Sequence, residues 1–185
     1  MNATLTSTLR VYDENDGLRP LVDTTDRAEI ARILGDQGIV FEKWEAGAPL
    51  DESSDQESIL AAYAADIDRL RAKYGYTTAD VIRVRPDTPN LPVLRAKFLN
   101  EHTHSEDEVR FFVEGDASFY LRLGGKVHQM ICTRGDLLGV PANTTHWFDM
   151  GPSPRFAAIR LFVNPEGWVA NFTGDDIAAR FPKYE

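Results

Sequence analysis

Cysteine, basic residues and long apolar runs are all scarce in this chain of 185 residues. Its single cysteine, Cys132, excludes a disulfide within the chain, and we interpret it as a buried, reduced thiol. The first residues lack the basic start and apolar run of a signal peptide, and no apolar stretch is long enough to span a bilayer. We therefore expect a cytoplasmic protein without a membrane partner.

The charge balance is acidic, with 20 Lys and Arg against 29 Asp and Glu, which gives a net charge of −9. Nucleic acids and anionic membranes bind to basic patches, so this composition argues against both as partners. A hydrophobic content of 43% is sufficient for a packed core. The length is typical of one domain, and we expect a monomer.

Hydrophobic periodicity changes near residue 101. Before it, apolar residues recur at helical spacing in residues 28–34 and in residues 56–74, and the latter predicts one long helix. After it, β-rich segments separated by turn residues predict strands at 109–113, 117–123, 126–132, 136–140 and 156–163. A short helix is predicted within residues 174–181. Closely spaced strands of this kind indicate an antiparallel barrel or jelly roll.

Three histidines and one glutamate form the most informative pattern of the chain. His102 and His104 are two residues apart and Glu108 has the same parity, so an extended chain points all three to one face. His146 follows after enough residues for two or three strands. Three imidazoles and one carboxylate suit a divalent transition metal. On an octahedral ion they leave two positions open for a bidentate substrate.

Parity leaves some alternatives open. Glu106 competes with Glu108 for the carboxylate position, because the residues between His104 and Glu108 can bend. The fourth histidine, His128, lies within a predicted strand and has no partner pattern, so we interpret it as structural. Arg110 follows Glu108 by two residues and can project into the same cavity, where its permanent charge suits an anionic substrate. The alternative for Arg110 is a surface position or a salt bridge.

The spacing resembles the two motifs of the cupin superfamily. The first is the pattern His-x-His-x-x-x-Glu followed by Gly115, and the second runs from Gly135 through Pro141 to His146. Ala96, Asn143 and Met150 depart from the superfamily pattern, but none is a ligand position. The resemblance implies a mainly β fold, a cupin-type double-stranded β-helix (jelly-roll barrel) with a few peripheral helices in the N-terminal half.

We expect a single cupin-type domain over residues 1–185. Residues 1–92 would supply strands and helices that pack on the barrel, residues 93–165 the metal-binding barrel core, and residues 166–185 a C-terminal segment.

Longer segments resemble the acireductone dioxygenase family over nearly the whole chain. They are Glu101–Phe111, Gly135–Leu137 with Val140-Pro141, Thr145–Gly151, Asn164–Val169 and Gly174–Ala178. The resemblance implies a metal-dependent dioxygenase of methionine salvage. Its substrates would be O2 and the acireductone 1,2-dihydroxy-3-keto-5-methylthiopentene.

The same resemblance implies one Fe2+ or Ni2+ per chain, with His102, His104, Glu108 and His146 as ligands. With Fe the products would be 4-methylthio-2-oxobutanoate and formate. With Ni they would be 3-methylthiopropionate, formate and CO.

The family also implies roles for three neighbouring residues. Arg110 would favour the substrate dianion, Glu101 would act in metal incorporation, and Asp107 would relay local conformational change.

Phe148, Arg160 and Trp168 are candidate walls of the substrate pocket, because a methylthio group packs well against aromatic rings. The alternative is that Phe148 and Trp168 are core aromatics. Two other functions compete with the dioxygenase: another metal-dependent cupin enzyme, an isomerase or epimerase that needs no oxygen, and a non-catalytic metal-binding cupin.

Overall fold

The computed structural model describes residues 5–164 and 166–185. The strands are β1 (Thr8–Asp13), β2 (Asp16–Thr24), β3 (Val40–Lys43), β4 (Thr78–Val84), β5 (His102–Thr103), β6 (Glu108–Leu123), β7 (Lys126–Thr133), β8 (Asp136–Val140), β9 (His146–Asp149), β10 (Phe156–Phe162) and β11 (Asn171–Phe172). The helices are α1 (Arg27–Gly35), α2 (Gln56–Ala62), α3 (Ala64–Tyr74) and α4 (Leu91–Leu99), followed by a 3-10 turn at Ile177–Arg180. No helix in these two ranges is long and apolar enough to cross a membrane.

Strand β6 belongs to both halves of the barrel. Its first half pairs antiparallel with β8 and β10, and its second half pairs antiparallel with β7 and β9. The strand changes sides at Gly115, whose φ of 65° lies in the left-handed region. A Cβ at this position would overlap the carbonyl oxygen of Arg155. The predicted mainly β architecture is confirmed.

The N-terminal strands are hydrogen-bonded into the barrel. Strand β1 pairs with β7 and β2, β3 pairs with β8, and β4 pairs with β10. The resulting sheet order is β11-β5-β9-β6-β7-β1-β2 on one side, and β4-β10-β6-β8-β3 on the other. The N-terminal segment therefore completes both sides of the barrel.

Two apolar clusters lie on opposite faces of β6. Phe112, Phe119 and Leu121 belong to the cluster inside the barrel. Val109 and Phe111 belong to an outer cluster, where α2 and α3 pack on the sheet through Ile59, Ile67 and Leu70. Each fully buried side chain of this size contributes roughly 1.5–3 kcal/mol, so both faces stabilise the strand that carries the candidate site.

Four predicted elements are wrong in their boundaries. The helix predicted for residues 56–74 is broken at Tyr63, whose φ of −111° and ψ of 21° are not helical. Its ring is held instead in an edge-on contact with Phe111. The strands predicted at 109–113 and 117–123 are one strand, because Gly115 lets the chain bend without ending it. The predicted terminal helix is only the 3-10 turn at Ile177–Arg180.

Strand β2 is absent from the predicted elements. It is an edge strand in which buried and exposed side chains do not alternate regularly. Pro20 lies opposite Tyr12, where the pairing register with β1 shifts. Proline is tolerated at edges and bulges of sheets, so its presence here breaks the sequence signal without preventing the strand.

Candidate metal centre

His102, His104 and His146 converge inside one end of the barrel. His102 on β5 pairs directly with His146 on β9, and His146 in turn pairs with Leu121 on β6. The ring centroids of His102 and His146 are 4.5 Å apart, and that of His104 lies 5.1 Å from each. One ring nitrogen of each residue lies within 4.8 Å of the others, and all three side chains are buried. This arrangement is placed to bind a metal ion.

Backbone carbonyls orient each imidazole from behind. The Nδ1 atoms lie close to carbonyl oxygens, that of His102 at 2.7 Å from Asn100, that of His146 at 2.8 Å from Thr144, and that of His104 at 3.1 Å from Val169. A neutral imidazole that donates Nδ1–H to a carbonyl keeps its lone pair on Nε2. The backbone therefore selects the tautomer that presents Nε2 to a metal.

Glu108 completes the cluster from the first residue of β6. Its Oε2 lies 3.5 Å from Nε2 of His104 and 3.6 Å from Nε2 of His146. Its Oε1 accepts a hydrogen bond from Nε of Arg110. Among the residues described, Glu108 Oε2 and His146 Nε2 are buried without a hydrogen-bond partner. A buried hydrogen-bond acceptor that has no partner destabilises the folded protein. A cation bound between these two atoms would satisfy both, so the three histidines and Glu108 fit a metal ion.

Glu106 lies elsewhere, although its parity is the same. Its Oε2 accepts a hydrogen bond from the backbone N–H of Asn164, at 2.9 Å. The chain turns between His104 and Glu108, so parity could not separate the two glutamates. The structure places Glu108, and not Glu106, beside the histidines.

The protonation states also suit a metal. Burial lowers the pKa of His102 to about 4, with a further contribution from His146. Burial likewise lowers the pKa of His104, against the opposing effect of Glu108. Burial alone would raise the pKa of Glu108, but Arg110 and the neighbouring histidines hold it well below its usual range. At neutral pH this gives two neutral imidazoles and a carboxylate, which are the forms that bind metals.

Arg110 lies next to Glu108 on the inner face. It is 4% exposed, and its guanidinium carbon lies 4.9 Å from the ring centre of Phe119 and 4.7 Å from that of Phe148. Burial lowers its pKa, and Glu108 opposes that shift, but a guanidinium keeps its proton. Its Nη1 is buried and has no partner among the described residues, which leaves an unpaired charged donor beside Glu108.

The three candidate pocket residues have different surroundings. Phe148 is fully buried and packs against Phe119 and other aromatic rings, so it is a core residue that also supports Arg110. Arg160 pairs with Arg110 across β10 and β6, and its guanidinium stacks on Trp168 at 4.3 Å. Trp168 is 38% exposed. Arg160 therefore lies on the same face of the sheet as Arg110, and Trp168 covers its guanidinium from the surface.

Glu101 and Asp107 lie outside the histidine cluster. Glu101 is 2% exposed and its Oε1 accepts a hydrogen bond from Thr173, while Arg122 lies 3.5 Å away. Asp107 accepts a hydrogen bond at 2.8 Å from the backbone of Ala142, in the loop that precedes His146. Each carboxylate thus ties the chain beside one ligand to a distant segment.

Sequence reasoning missed several contributors. The carbonyl of Val169 orients His104, the ring of Phe172 lies 5.7 Å from that of His102, and Asp80 pairs with Arg160. These contacts join segments far apart in sequence, and a backbone carbonyl leaves no trace in residue type. Within Asn164–Val169, the family likeness and the candidate pocket residue Trp168 are apparent from the sequence, but the role of the Val169 carbonyl is not.

Comparisons with known proteins agree on one family. The sequence model of the ARD/ARD' family matches residues 8–170. The acireductone dioxygenase of Parvibaculum lavamentivorans is 57% identical over 96% of each chain, and that of Hahella chejuensis is 54% identical over 97% of this chain and 96% of its own.

A solved structure gives the same result. It is an acireductone dioxygenase from Bacillus anthracis with a cadmium ion in its active center, 30% identical, with a TM-score of 0.79 over 92% of this chain and 100% of the other. The predicted family and cupin-type fold are confirmed. The chain belongs to the ARD/ARD' family, the family of its acireductone dioxygenase relatives.

Proposed function

We propose that His102, His104, Glu108 and His146 bind one Fe2+ or Ni2+, and that the chain cleaves the acireductone 1,2-dihydroxy-3-keto-5-methylthiopentene with O2. The carrying observation is that Glu108 Oε2 and His146 Nε2 face one another, buried and without a hydrogen-bond partner among the described residues. The named activity of the relatives and the cadmium ion of the Bacillus anthracis enzyme support the proposal.

The bound metal would supply a Lewis-acidic centre with two positions for substrate oxygens. Arg110 contributes a fixed positive charge beside that centre. Its Nε is used by Glu108, so its free Nη1 donates to an enediolate oxygen and favours the ionised substrate. Phe119 and Phe148 keep the guanidinium in a dry environment, where an electrostatic interaction is stronger than in water.

The residues around the ligands have supporting roles in this proposal. Glu101, the residue before His102, assists metal incorporation, and Asp107 relays movement between the loop before β6 and the loop before β9, through its hydrogen bond from the backbone N–H of Ala142. Arg160 and Trp168 border the pocket for the rest of the substrate. The proposal places a monomer in the cytoplasm, within methionine salvage.

Oxygen uptake by the reconstituted protein tests this function. The chain is stripped with a chelator, loaded with Fe2+ or Ni2+, and mixed with the acireductone and O2. We expect oxygen consumption with either metal, the keto acid and formate with Fe, and CO in addition to formate with Ni. Metal binding without oxygen consumption would instead favour a non-catalytic cupin, and anaerobic turnover would favour an isomerase or epimerase.

A further inference from the structure

Asp80, Arg160 and Arg110 form a row across three neighbouring strands. Asp80 on β4 lies opposite Arg160 on β10, and Arg160 lies opposite Arg110 on β6. Directly opposed residues of antiparallel strands point to the same face of a sheet. Since Arg110 lies on the inner face beside Glu108, the side chains of Arg160 and Asp80 lie on that same face, progressively farther from the histidines.

Asp80 holds Arg160 through both of its oxygens. Nε of Arg160 donates to Oδ1 at 2.9 Å, and Nη2 donates to Oδ2 at 2.6 Å. The guanidinium carbon also lies 4.3 Å from the ring centre of Trp168 and 5.5 Å from that of Phe162. A bidentate pair of this kind fixes the plane of a guanidinium as well as its position. Among the contacts of the described residues, Nη1 is the guanidinium nitrogen that has no partner, so it can donate to a ligand.

The substrate has a group that needs such a donor. The acireductone carries oxygens on three adjacent carbons, and two of them would bind the metal when it is present. The third oxygen would then lie among the buried side chains of the inner face, where an unpaired polar atom is costly. Arg160 lies opposite Arg110 on the neighbouring strand and is 8% exposed, so its Nη1 is a suitable partner for that oxygen.

We infer that Asp80 is a positioning residue for substrate binding, which holds the Arg160 guanidinium so that Nη1 donates to the acireductone oxygen left free by the metal. The inference rests on the proposed function. Asp80 also balances the charge of Arg160, so that two guanidinium groups can lie side by side on neighbouring strands without mutual repulsion.

Anaerobic titration of the metal-loaded protein with the acireductone measures this binding without turnover. We expect Asp80→Asn to raise the Kd about tenfold, since a charged pair that fixes a donor is lost, and Asp80→Glu to raise it about threefold. Metal content should stay at the parent level in both. Arg160→Met should weaken binding by itself, and adding Asp80→Asn to it should change the Kd no further.

Glu114→Gln is the matched control. Glu114 pairs with Arg83 at 2.9 Å across the same three strands, at a row centred on Ala157 of the outer cluster. The Glu114→Gln variant should lower the melting temperature about as much as Asp80→Asn does, but its Kd for the acireductone should stay within about twofold of the parent. If Asp80 had only a structural role, Asp80→Asn and Glu114→Gln would both lower the melting temperature, and their Kd values for the acireductone would be the same.

Other outcomes are decisive as well. An unchanged Kd in Asp80→Asn, or loss of its metal, would overturn the inference. If Asp80→Asn does not fold, Asp80→Glu is the deciding variant. A Kd of Asp80→Glu equal to that of the parent would then overturn the inference. If the parent protein itself fails to bind the acireductone, the proposed function is wrong. If the parent binds it and Asp80→Asn binds it equally well, only the inference about Asp80 is wrong.

Discussion

The two faces of the first half of β6 differ in what they leave unpaired. The outer face carries Val109, Phe111 and Val113, all apolar and covered by the cluster that includes α2 and α3. The inner face carries Glu108 and Arg110, each of which keeps a buried polar atom without a partner among the described residues. Because side chains alternate along a strand, one short segment supplies stability on one side and chemistry on the other. Mutations on the two faces should therefore have separable effects.

The largest effect is expected from the histidines. His102→Ala and His146→Ala should each lose most bound metal and nearly all oxygen uptake, because each removes one of four donors while both apolar clusters stay intact. Metal content per chain and circular dichroism measure the two consequences separately. Full metal retention in either variant would remove that histidine from the site.

Arg110→Ala should reduce turnover by about a hundredfold or more while most of the metal stays bound, since loss of one fixed donor to a developing anion has effects of this size. The three imidazoles and Glu108 remain as donors. The near-ultraviolet spectrum of protein and acireductone mixed without oxygen reports the ionised substrate. If the dianion still forms as in the parent, the proposed role of Arg110 is wrong. Arg110→Lys serves as the control, because it keeps the charge and loses the planar fork.

Phe111→Ala tests the outer face. It should destabilise the protein by about 3–5 kcal/mol, the usual cost of removing a buried aromatic side chain. Phe111 lies in contact with the rings of Tyr63 and Trp44, away from the ligands. Denaturant unfolding gives the loss, and we expect kcat of the folded, metal-loaded fraction within about twofold of the parent. A large fall in kcat would show that the faces of β6 are not independent.

The sequence predicted the inner face better than its surroundings. Parity grouped His102 and His104, but it did not separate Glu108 from Glu106, because the chain bends between His104 and Glu108; the resemblance to the cupin motif indicated Glu108. The segment 136–140 was also predicted with the bounds that β8 has. The partners of the site could not be predicted, because Asp80 and the carbonyl of Val169 reach it through strand pairing and a returning tail.

Errors in the fold have a similar origin. The pattern of residues 56–74 is helical throughout, yet the chain breaks at Tyr63 where the ring packs on Phe111. Tertiary contact overrides local propensity there. Strand β2 was missed because an exposed edge strand needs little alternation, and most of its side chains are exposed.

His128→Gln should have the smallest effect on the site, and it tests how local the metal centre is. His128 and His146 both lie opposite Leu121 of β6, one from β7 and the other from β9, so they share a level of the barrel. Both are buried.

The two histidines differ in their neighbours. His146 lies beside His102 and His104. In the described contacts, the Nδ1 atom of His128 has only the carbonyl of Leu121 nearby, at 3.4 Å. Burial lowers the pKa of His128, so it is a neutral side chain at pH 7 that glutamine can replace. Metal content and kcat should stay within about twofold of the parent, with a loss of stability of about 1 kcal/mol. A large drop in bound metal would show that His128 contributes to metal binding. The convergence of His102, His104 and His146 would then not be sufficient to define the site.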